Sequence, residues 1–438
     1  MRTKKMAYTI MVVMSAYFAA PVWAQADDAS TDQSAKPETK NKELAGLVGQ
    51  SEAGKEEAGK EEAGKEEAGK EEAGKEEAGK EEAGLESLDL ASLLMESGAG
   101  QSGSFGYRLQ QFGVTPYIHG YAVMDADWDV GLSPPTFDLH YFNVFLGVNI
   151  NDVVIPELQL EYEHGGSQIQ LRYGQVDVKV WDDLLIVRVG KFLTPFGQVN
   201  EYLYPEFIWR LSDRPMAFRQ VVPVSWAEVG VQARGHVDWS ENKGIDYALY
   251  AVNGLEQEDD PATPQVDDGG GIREMRNNYE DKNHWDKALG GRVGLRPLAG
   301  LQFGASGYTG AYTVDGSQRI YMVGVGAGWE GFGAHVLAEY VVALQTTVNG
   351  DLLKHGGFLQ ASYEVIAHFS PIVQVENFME GNDPNDWRIR ATLGALVFPY
   401  PNRVLNLQLK ASYAATTAVS DPMGSLSHRV IAQLAIGF

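Results

Sequence analysis

From Tyr117 onward, apolar and polar residues alternate with a period of two, which is the pattern of a β-strand with two different faces. The pattern is clear over the last residues, where Val430 and Phe438 fall on one face and Arg429 and Gln433 fall on the other. The alternation predicts sixteen strands, near residues 117–129, 137–151, 156–164, 168–181, 184–192, 226–239, 244–253, 286–297, 300–311, 317–329, 332–344, 355–368, 371–380, 386–398, 403–415 and 427–438. Strands of this length suit a tilted crossing of a bilayer, which needs about 9–11 residues.

The connections between the predicted strands sort by length. Those after even-numbered strands are short, such as Asn151-Asp152 and Asp182-Asp183, whereas two of those after odd-numbered strands are very long, 193–225 and 254–285. Short turns at one end and longer loops at the other are typical of transmembrane barrels, and a soluble sandwich has no reason to sort its loops this way. The sequence therefore predicts an all-β fold, a sixteen-stranded antiparallel transmembrane β-barrel over residues 110–438, in contact with outer-membrane lipid.

The polar faces of the predicted strands carry many charged side chains. A small, filled barrel could bury that many charges only at high cost. Sixteen strands enclose enough space for water, so we expect these charges to line the lumen. The predicted lumen-lining cations are Arg188, Arg234, Arg292, Arg388, Arg390 and Lys410.

The connection 193–225 is too rich in aromatic and aliphatic residues to extend freely into water. Folded into the barrel, it would bury those side chains and narrow the channel. Its charged residues would then meet the lumen and influence selectivity there. The charged residues predicted at this constriction are Arg210, Arg214, Arg219, Glu201 and Asp213. An outer lid or a subunit contact is the alternative for this loop.

The N-terminal part of the chain follows other patterns. Residues 1–24 combine early cations, a short apolar run and a small-residue cleavage position, which predicts a cleaved signal peptide for export rather than a membrane anchor. Residues 25–51 predict a polar linker, and residues 52–84 repeat Glu-Ala-Gly-Lys-Glu, which predicts a charged spacer, partly helical or disordered. Residues 85–97 have the spacing of a short amphipathic helix, which would contact the barrel or a periplasmic partner.

Composition removes several classes of function. The chain has no cysteine, which excludes disulfides and thiolate chemistry. Residues 107–438 carry 23 Lys/Arg against 38 Asp/Glu, a net charge of −15, so nucleic-acid binding is not expected. Hydrolase and phosphate-binding motifs are absent, and His119, His236 and His335 stand alone in their strands. We expect no enzyme and no cofactor, and a solvated acidic loop rather than a calcium site around 259–268.

Several short motifs resemble one known family. They are the residues 190–197 (GKFLTPFG), Asn200-Glu201, Arg214-Pro215 and 223–232. Together they resemble the phosphate-selective porin O and P family, over most of residues 110–438. The resemblance implies a sixteen-stranded outer-membrane porin, usually a homotrimer, with an inward third loop. It adds Lys191 to the predicted constriction and implies that Phe438 is the aromatic signal for membrane assembly.

The expected function is passive diffusion of small hydrophilic solutes or inorganic ions across the bacterial outer membrane, through a channel narrowed by residues 193–225. A preference for anions or phosphate stays open, because phosphate-specific members of the family rely on clusters of Arg and Lys, whereas this barrel is net acidic. The alternative is a structural barrel whose periplasmic spacer tethers the cell wall or a partner protein.

Overall fold

The computed structural model of the protein describes residues 113–223, 225–257, 271–276, 279–280, 285–383, 385, 387–399, 406–422 and 424–438. These residues form one closed antiparallel sheet in which each strand pairs with its neighbours in sequence and the first strand pairs with the sixteenth. The predicted sixteen-stranded barrel is therefore confirmed. The N-terminal segments predicted at 1–24, 25–51, 52–84 and 85–97 lie outside the described residues.

The strands are β1 Val114–Asp129, β2 Thr136–Ile150, β3 Val154–Glu163, β4 Gln168–Trp181, β5 Leu185–Leu193, β6 Ala227–Ser240, β7 Lys243–Val252, β8 Ala288–Leu298, β9 Leu301–Ala311, β10 Arg319–Gly331, β11 Ala334–Gln345, β12 Leu352–Tyr363, β13 Phe369–Met379, β14 Trp387–Val397, β15 Asn406–Ala418 and β16 Ser427–Gly437. A 3-10 helix, His164–Gly166, follows β3, and a short helix α1, Ala217–Gln220, lies between β5 and β6. Within the described ranges, no helix is both long and apolar enough to cross a bilayer.

Each predicted strand overlaps an observed one. The largest difference is at β12, which ends at Tyr363 although the sequence pattern continues to residue 368. The turn that follows contains the exposed apolar residues Val365 and Ile366, and these extend the alternation beyond the paired backbone. The turns of two or three residues all follow even-numbered strands, so they lie together at one end of the barrel.

At the seam of the barrel, the first and last strands pair with each other along the second half of β1. The register of this seam runs from Tyr121 opposite Gly437 to Asp129 opposite Arg429. Phe438 extends the seam, because its N–H donates to the carbonyl of Gly120 at 2.9 Å and its carbonyl accepts the N–H of Gly120 at 2.8 Å. This pairing closes the sheet between β1 and β16.

The outward faces of the strands are apolar and exposed. The middle of this surface carries Val189, Val231, Leu249, Leu289, Val323, Val325, Leu359, Val375 and Leu393. Exposed aromatic residues lie toward the short-turn end, at Trp181, Trp239, Trp329, Phe332 and Tyr363, and toward the long-loop end, at Trp128, Phe137, Tyr321 and Trp387. An aliphatic band between two aromatic girdles is the surface of a barrel that faces lipid.

Candidate pore constriction

Loop 3, which we define as residues 194–226, leaves the end of β5 and returns to the start of β6. Its two ends are joined by a hydrogen bond from the Thr194 N–H to the Trp226 carbonyl at 2.8 Å. The Asn200 side-chain amide also joins the two ends of the loop, since its Nδ2 donates to the carbonyls of Thr194 at 2.9 Å and Trp226 at 3.0 Å. One buried asparagine thus fixes the point from which the loop extends.

The first turn of loop 3 lies against the far wall of the barrel. The carboxylate of Glu339 on β11 accepts the backbone N–H of Gln198 at 3.1 Å, and the Ser306 hydroxyl on β9 accepts the N–H of Gly197 at 2.9 Å. Gly197 has a φ of 67°, and a Cβ atom there would lie 1.8 Å from Oε1 of Glu339. Only glycine meets both conditions, which explains its place at the end of the 190–197 motif.

Glu201 connects loop 3 to β6 and β8. Its Oε1 lies 3.0 Å from Arg234 Nη1 and its Oε2 lies 3.0 Å from Arg292 Nη2, and the glutamate is completely buried. Burial acts to raise the pKa of Glu201, but Arg292, Arg234 and Arg188 outweigh it and hold the pKa below its usual value. Glu201 is therefore an ionised anchor, and the guanidinium of Arg292 also lies 4.0 Å from the centre of the Tyr202 ring.

Asp213 is a second ionic anchor, at the opposite side of the lumen. Its carboxylate lies 3.1 Å from Arg219 Nη1, 2.5 Å from Arg390 Nη1 and 3.6 Å from Arg429 Nη1. Arg390 also donates from Nε to Glu376 Oε1 at 2.6 Å. The single aspartate thus joins an arginine of the loop to arginines of β14 and β16.

Glu206 contacts the strands on both sides of the barrel seam. Its backbone carbonyl accepts a hydrogen bond from Lys410 on β15, and its Oε2 accepts one from Gln433 Nε2 on β16 at 3.0 Å. The same Oε2 lies 4.0 Å from His140 Nδ1 on β2. Loop 3 therefore reaches around the lumen, from β9 and β11 to the first and last strands.

Apolar packing supplements these polar anchors. The rings of Trp209 and Phe218 both meet Phe358 on β12 edge to face, with centroids 5.5 Å apart. The inner-wall side chains buried in one cluster with the loop are Tyr250, Tyr308, Ile320, Met322, Leu337, Val341, Phe358, Ile372, Phe378 and Leu396. Burying each large apolar side chain contributes about 1.5–3 kcal/mol, so the loop packs as part of the barrel interior.

Eight described residues of loop 3 are only half-buried and keep partial contact with the lumen. The half-buried residues are Tyr202, Leu203, Phe207, Ile208, Arg210, Asp213, Met216 and Gln220. Most are apolar or uncharged, so Arg210 and Asp213 carry the charge of this surface. Arg210 Nη1 lies 3.5 Å from the hydroxyl of Ser362 on β12, which places the guanidinium next to the wall.

The structure places the six predicted lumen cations on inward-facing strand positions, but it pairs most of them. Arg188 makes a two-point ion pair with Asp177, at 2.6 and 2.7 Å. Arg388 is exposed and lies two residues from the buried Arg390, toward the long-loop end.

The buried charges nearly balance each other. Among the buried described residues there are nine carboxylates and ten Lys or Arg side chains, so the interior has no large excess of either sign. Arg214 and Arg219, predicted at the constriction, are themselves buried.

Lys191 lies elsewhere than predicted. It is three residues from the inward Arg188, so the alternation of β5 puts it on the outward face. Its Nζ donates to the carbonyl of Leu171 at 2.7 Å and lies 3.6 Å from the centre of the Tyr279 ring. The correction has a simple cause, since the motif that suggested Lys191 says nothing about which side of the strand it occupies.

Sequence reasoning also missed several residues that hold the loop. The acidic wall residues Glu339 and Glu376 are buried beneath it, and Asp125 and His140 lie beside Glu206. The polar positions of their strands could have identified all four as inward-facing. Which of them meets loop 3 depends on contacts between residues far apart in the sequence, as between Gln198 and Glu339, which are 141 residues apart.

Comparisons with known proteins agree on the fold. No known family model matches the sequence. An uncharacterized protein of Aquifex aeolicus (strain VF5) is 24% identical over 262 residues, covering 53% of this chain and 57% of the relative, so the match spans less than two thirds of that protein.

Three solved structures share the barrel at low sequence identity. The anion-selective porin from Comamonas acidovorans is 12% identical, with a TM-score of 0.54, over 74% of this chain and 100% of its own. OmpT of Vibrio cholerae in its trimer form is 12% identical, with a TM-score of 0.51, over 74% and 100%. OmpF of Salmonella typhi is 12% identical, with a TM-score of 0.50, over 75% and 99%. This chain therefore has the fold of the outer-membrane porins.

Proposed function

We propose that the chain is an outer-membrane porin, and not an enzyme, through which small hydrophilic solutes and inorganic ions diffuse passively. The observation that carries the proposal is a long loop folded inside a closed sixteen-stranded barrel whose outer surface suits lipid. A loop in that position narrows the lumen without crossing the wall, which is how a passive channel limits solute size.

The proposal includes the bacterial outer membrane as location and a homotrimer as assembly. The signal peptide predicted at 1–24 would direct export, and Phe438 would serve as the assembly signal. The trimer form of OmpT of Vibrio cholerae, which shares this fold, supports the oligomeric state. Cross-linking of the purified protein in detergent tests it, with a limit at three chains as the expected result.

For selectivity we propose a weak preference at most, set by Arg210 and Asp213. The resemblance to phosphate-selective porins and the shared fold of the anion-selective Comamonas porin favour anions. Against a phosphate site, Arg219 contacts Asp213 within the loop, and the buried charges are nearly balanced. Because a narrow channel responds most to its nearest charges, one half-buried arginine or carboxylate at the loop surface can still shift the ion preference.

Single-channel recording in planar bilayers tests the proposed channel. We expect purified full-length protein to give discrete, reproducible conductance steps that grow with salt concentration. Protein that inserts into the bilayer and carries no current would exclude a porin.

Reversal potentials in a salt gradient test the selectivity. Arg210→Gln should shift the potential toward cations, and Asp213→Asn should shift it toward anions, because each change removes one charge at the half-buried loop surface. Asp183→Asn is the matched control, since Asp183 pairs with Lys179 at an exposed turn on the short-turn end. Equal shifts in all three variants would mean that loop 3 does not set the selectivity.

A structural barrel is the second candidate, and the nearly complete burial of loop 3 is the observation that favours it. In that case the segment 52–84 would act as a periplasmic tether to the cell wall or to a partner protein. The conductance experiment separates the two candidates, because a tethering barrel needs no open channel.

A further inference from the structure

Three potential metal ligands meet where loop 3 reaches the first two strands. Asp125 lies on β1, His140 on β2 and Glu206 on loop 3. His140 Nδ1 is 2.7 Å from Asp125 Oδ2 and 4.0 Å from Glu206 Oε2. One ligand atom from each of the three side chains lies within 4.8 Å of the other two.

The burial of this cluster leaves its carboxylates short of partners. All three residues are buried, and Asp125 is 6% exposed. Its Oδ1 is inaccessible and makes no hydrogen bond to the described residues. Gln433 donates one hydrogen bond to Glu206 Oε2, and Lys410 donates to the backbone carbonyl of Glu206 instead of its carboxylate. A buried carboxylate oxygen without a hydrogen-bond partner destabilises the folded protein, and a bound cation would offset that cost.

We propose that Asp125, His140 and Glu206 bind one divalent transition-metal cation of the Zn²⁺ class. An imidazole nitrogen with two carboxylate oxygens suits Zn²⁺ and its neighbours, whereas Ca²⁺ and Mg²⁺ prefer oxygen ligands throughout. Ligands at about 2.1 Å from a tetrahedral ion lie roughly 3.4 Å from each other. The observed separations of 2.7 and 4.0 Å bracket that value, so small side-chain movements complete the site.

A bound ion would connect three separate parts of the chain. It would join β1 and β2 directly to loop 3, beside the contacts that Glu206 already makes to β15 and β16. We therefore expect the ion to reduce the motion of the loop. Binding itself does not depend on channel activity, so the two proposals can fail independently.

A second pair of side chains lies next to this cluster. His164, in the 3-10 helix after β3, places its Nδ1 2.7 Å from Asp138 Oδ2, and its ring lies 5.4 Å from that of His140. Asp138 and His164 are more exposed than the buried cluster and could form an alternative ligand set with His140. The experiment must therefore distinguish Glu206 from His164.

The test uses the full-length protein in detergent after treatment with a chelator. Calorimetric titration with Zn²⁺ should show one ion per chain, and Co²⁺ should give the visible absorption bands of a low-coordinate nitrogen–oxygen site. His140→Asn and Glu206→Gln should each weaken Zn²⁺ binding by about 100-fold or more. His164→Asn and His355→Asn should leave it within a few-fold of the unsubstituted protein, since His355 lies outside the cluster against Tyr340.

Three results would overturn the proposal. The first is the absence of saturable Zn²⁺ binding, and the second is binding that persists in His140→Asn. The third is binding that survives Glu206→Gln and is lost in His164→Asn, which would place the ion in the exposed set. Retention of a heat-resistant barrel on electrophoresis shows that each variant has folded, and Asp125→Asn provides a second ligand variant if Glu206→Gln does not fold.

Discussion

Gly197 shows how closely loop 3 fits the wall. The residue turns the backbone at a positive φ, and the carboxylate of Glu339 occupies the space where any other residue would place its Cβ atom. The same carboxylate accepts the N–H of Gln198. One side chain of the wall therefore both binds the loop and excludes larger residues from its first turn.

We predict that Gly197→Ala displaces the first turn of loop 3 and changes the single-channel conductance. The strain of a positive φ costs about 1 kcal/mol, and the overlap with Glu339 adds to it. Gly316→Ala is the matched control, because Gly316 has a φ of 69° and no atom within 4 Å of its Cβ position. Equal effects of the two substitutions would show that the Glu339 contact does not hold the loop.

For single residues, the sequence predicts which face of a strand a side chain occupies better than it predicts the contacts which that side chain makes. The alternation counted from Arg188 places Lys191 on the outward face of β5. The structure agrees with this count and not with the constriction position that the family resemblance implied.

On β4, the alternation counted from the inward Asp177 would place Arg172 on the outward face. The count fails there because a bulge in the pairing of β3 with β4 inserts an extra residue. Arg172 is consequently buried against Glu161 and Glu163. A bulge leaves no clear mark in the hydrophobic pattern.

Among the elements, β10 explains why the filled interior was not predicted. Val323 and Val325 face outward, and Ile320 and Met322 face inward, so both faces of the strand are apolar. The inward side chains are covered by loop 3, which the pattern of a single strand cannot reveal. The apolar composition of the loop and the family resemblance both indicated that it packs inside, but neither identified the part of the wall that it covers.

The ionic anchor at Glu201 predicts how the attachment of loop 3 responds to pH. The pKa of Glu201 is lower in the folded protein than in the unfolded chain, where it is about 4.3. The ionised carboxylate therefore stabilises the fold at every pH above that value, and this contribution is lost as the pH falls through the lower, folded pKa.

We expect the difference in thermal stability between the unsubstituted protein and Glu201→Gln to be constant from pH 7 to about pH 5, and to shrink below about pH 4. Thermal unfolding followed by heat-dependent electrophoretic mobility measures this difference. A difference that declines already between pH 7 and pH 5 would show that Glu201 is not held as an ion.

For the whole molecule, strand number and topology were predictable because one physical rule governs the entire outer surface. Lipid imposes an apolar outward face on each strand, and closure requires every backbone group to be paired. The interior follows no such rule, since water, charges and an inserted loop can all fill it. The sixteen strands therefore followed from the pattern, whereas the anchors at Glu201, Glu206 and Asp213 required the structure.

The spacer predicted at 52–84 gives a further test at this scale. Deleting residues 52–84 should leave the single-channel conductance unchanged, because every contact to loop 3 described above comes from residues 113–438. A variant that removes residues 25–51 instead controls for the loss of length. Loss of conductance in the 52–84 deletion alone would mean that the repeat takes part in the channel.

The contacts of Glu206 have a consequence for how the barrel finds its correct pairing. A slip of two residues between β1 and β16 would keep every apolar side chain facing lipid, so the hydrophobic pattern cannot reject it. Such a slip would move Gln433 by nearly 7 Å relative to β1. Glu206, which touches Gln433 on one side of the seam and approaches His140 on the other, could then no longer reach both. The contacts of loop 3 therefore favour the native register of the β1–β16 pairing over a two-residue slip, which the hydrophobic pattern alone would allow.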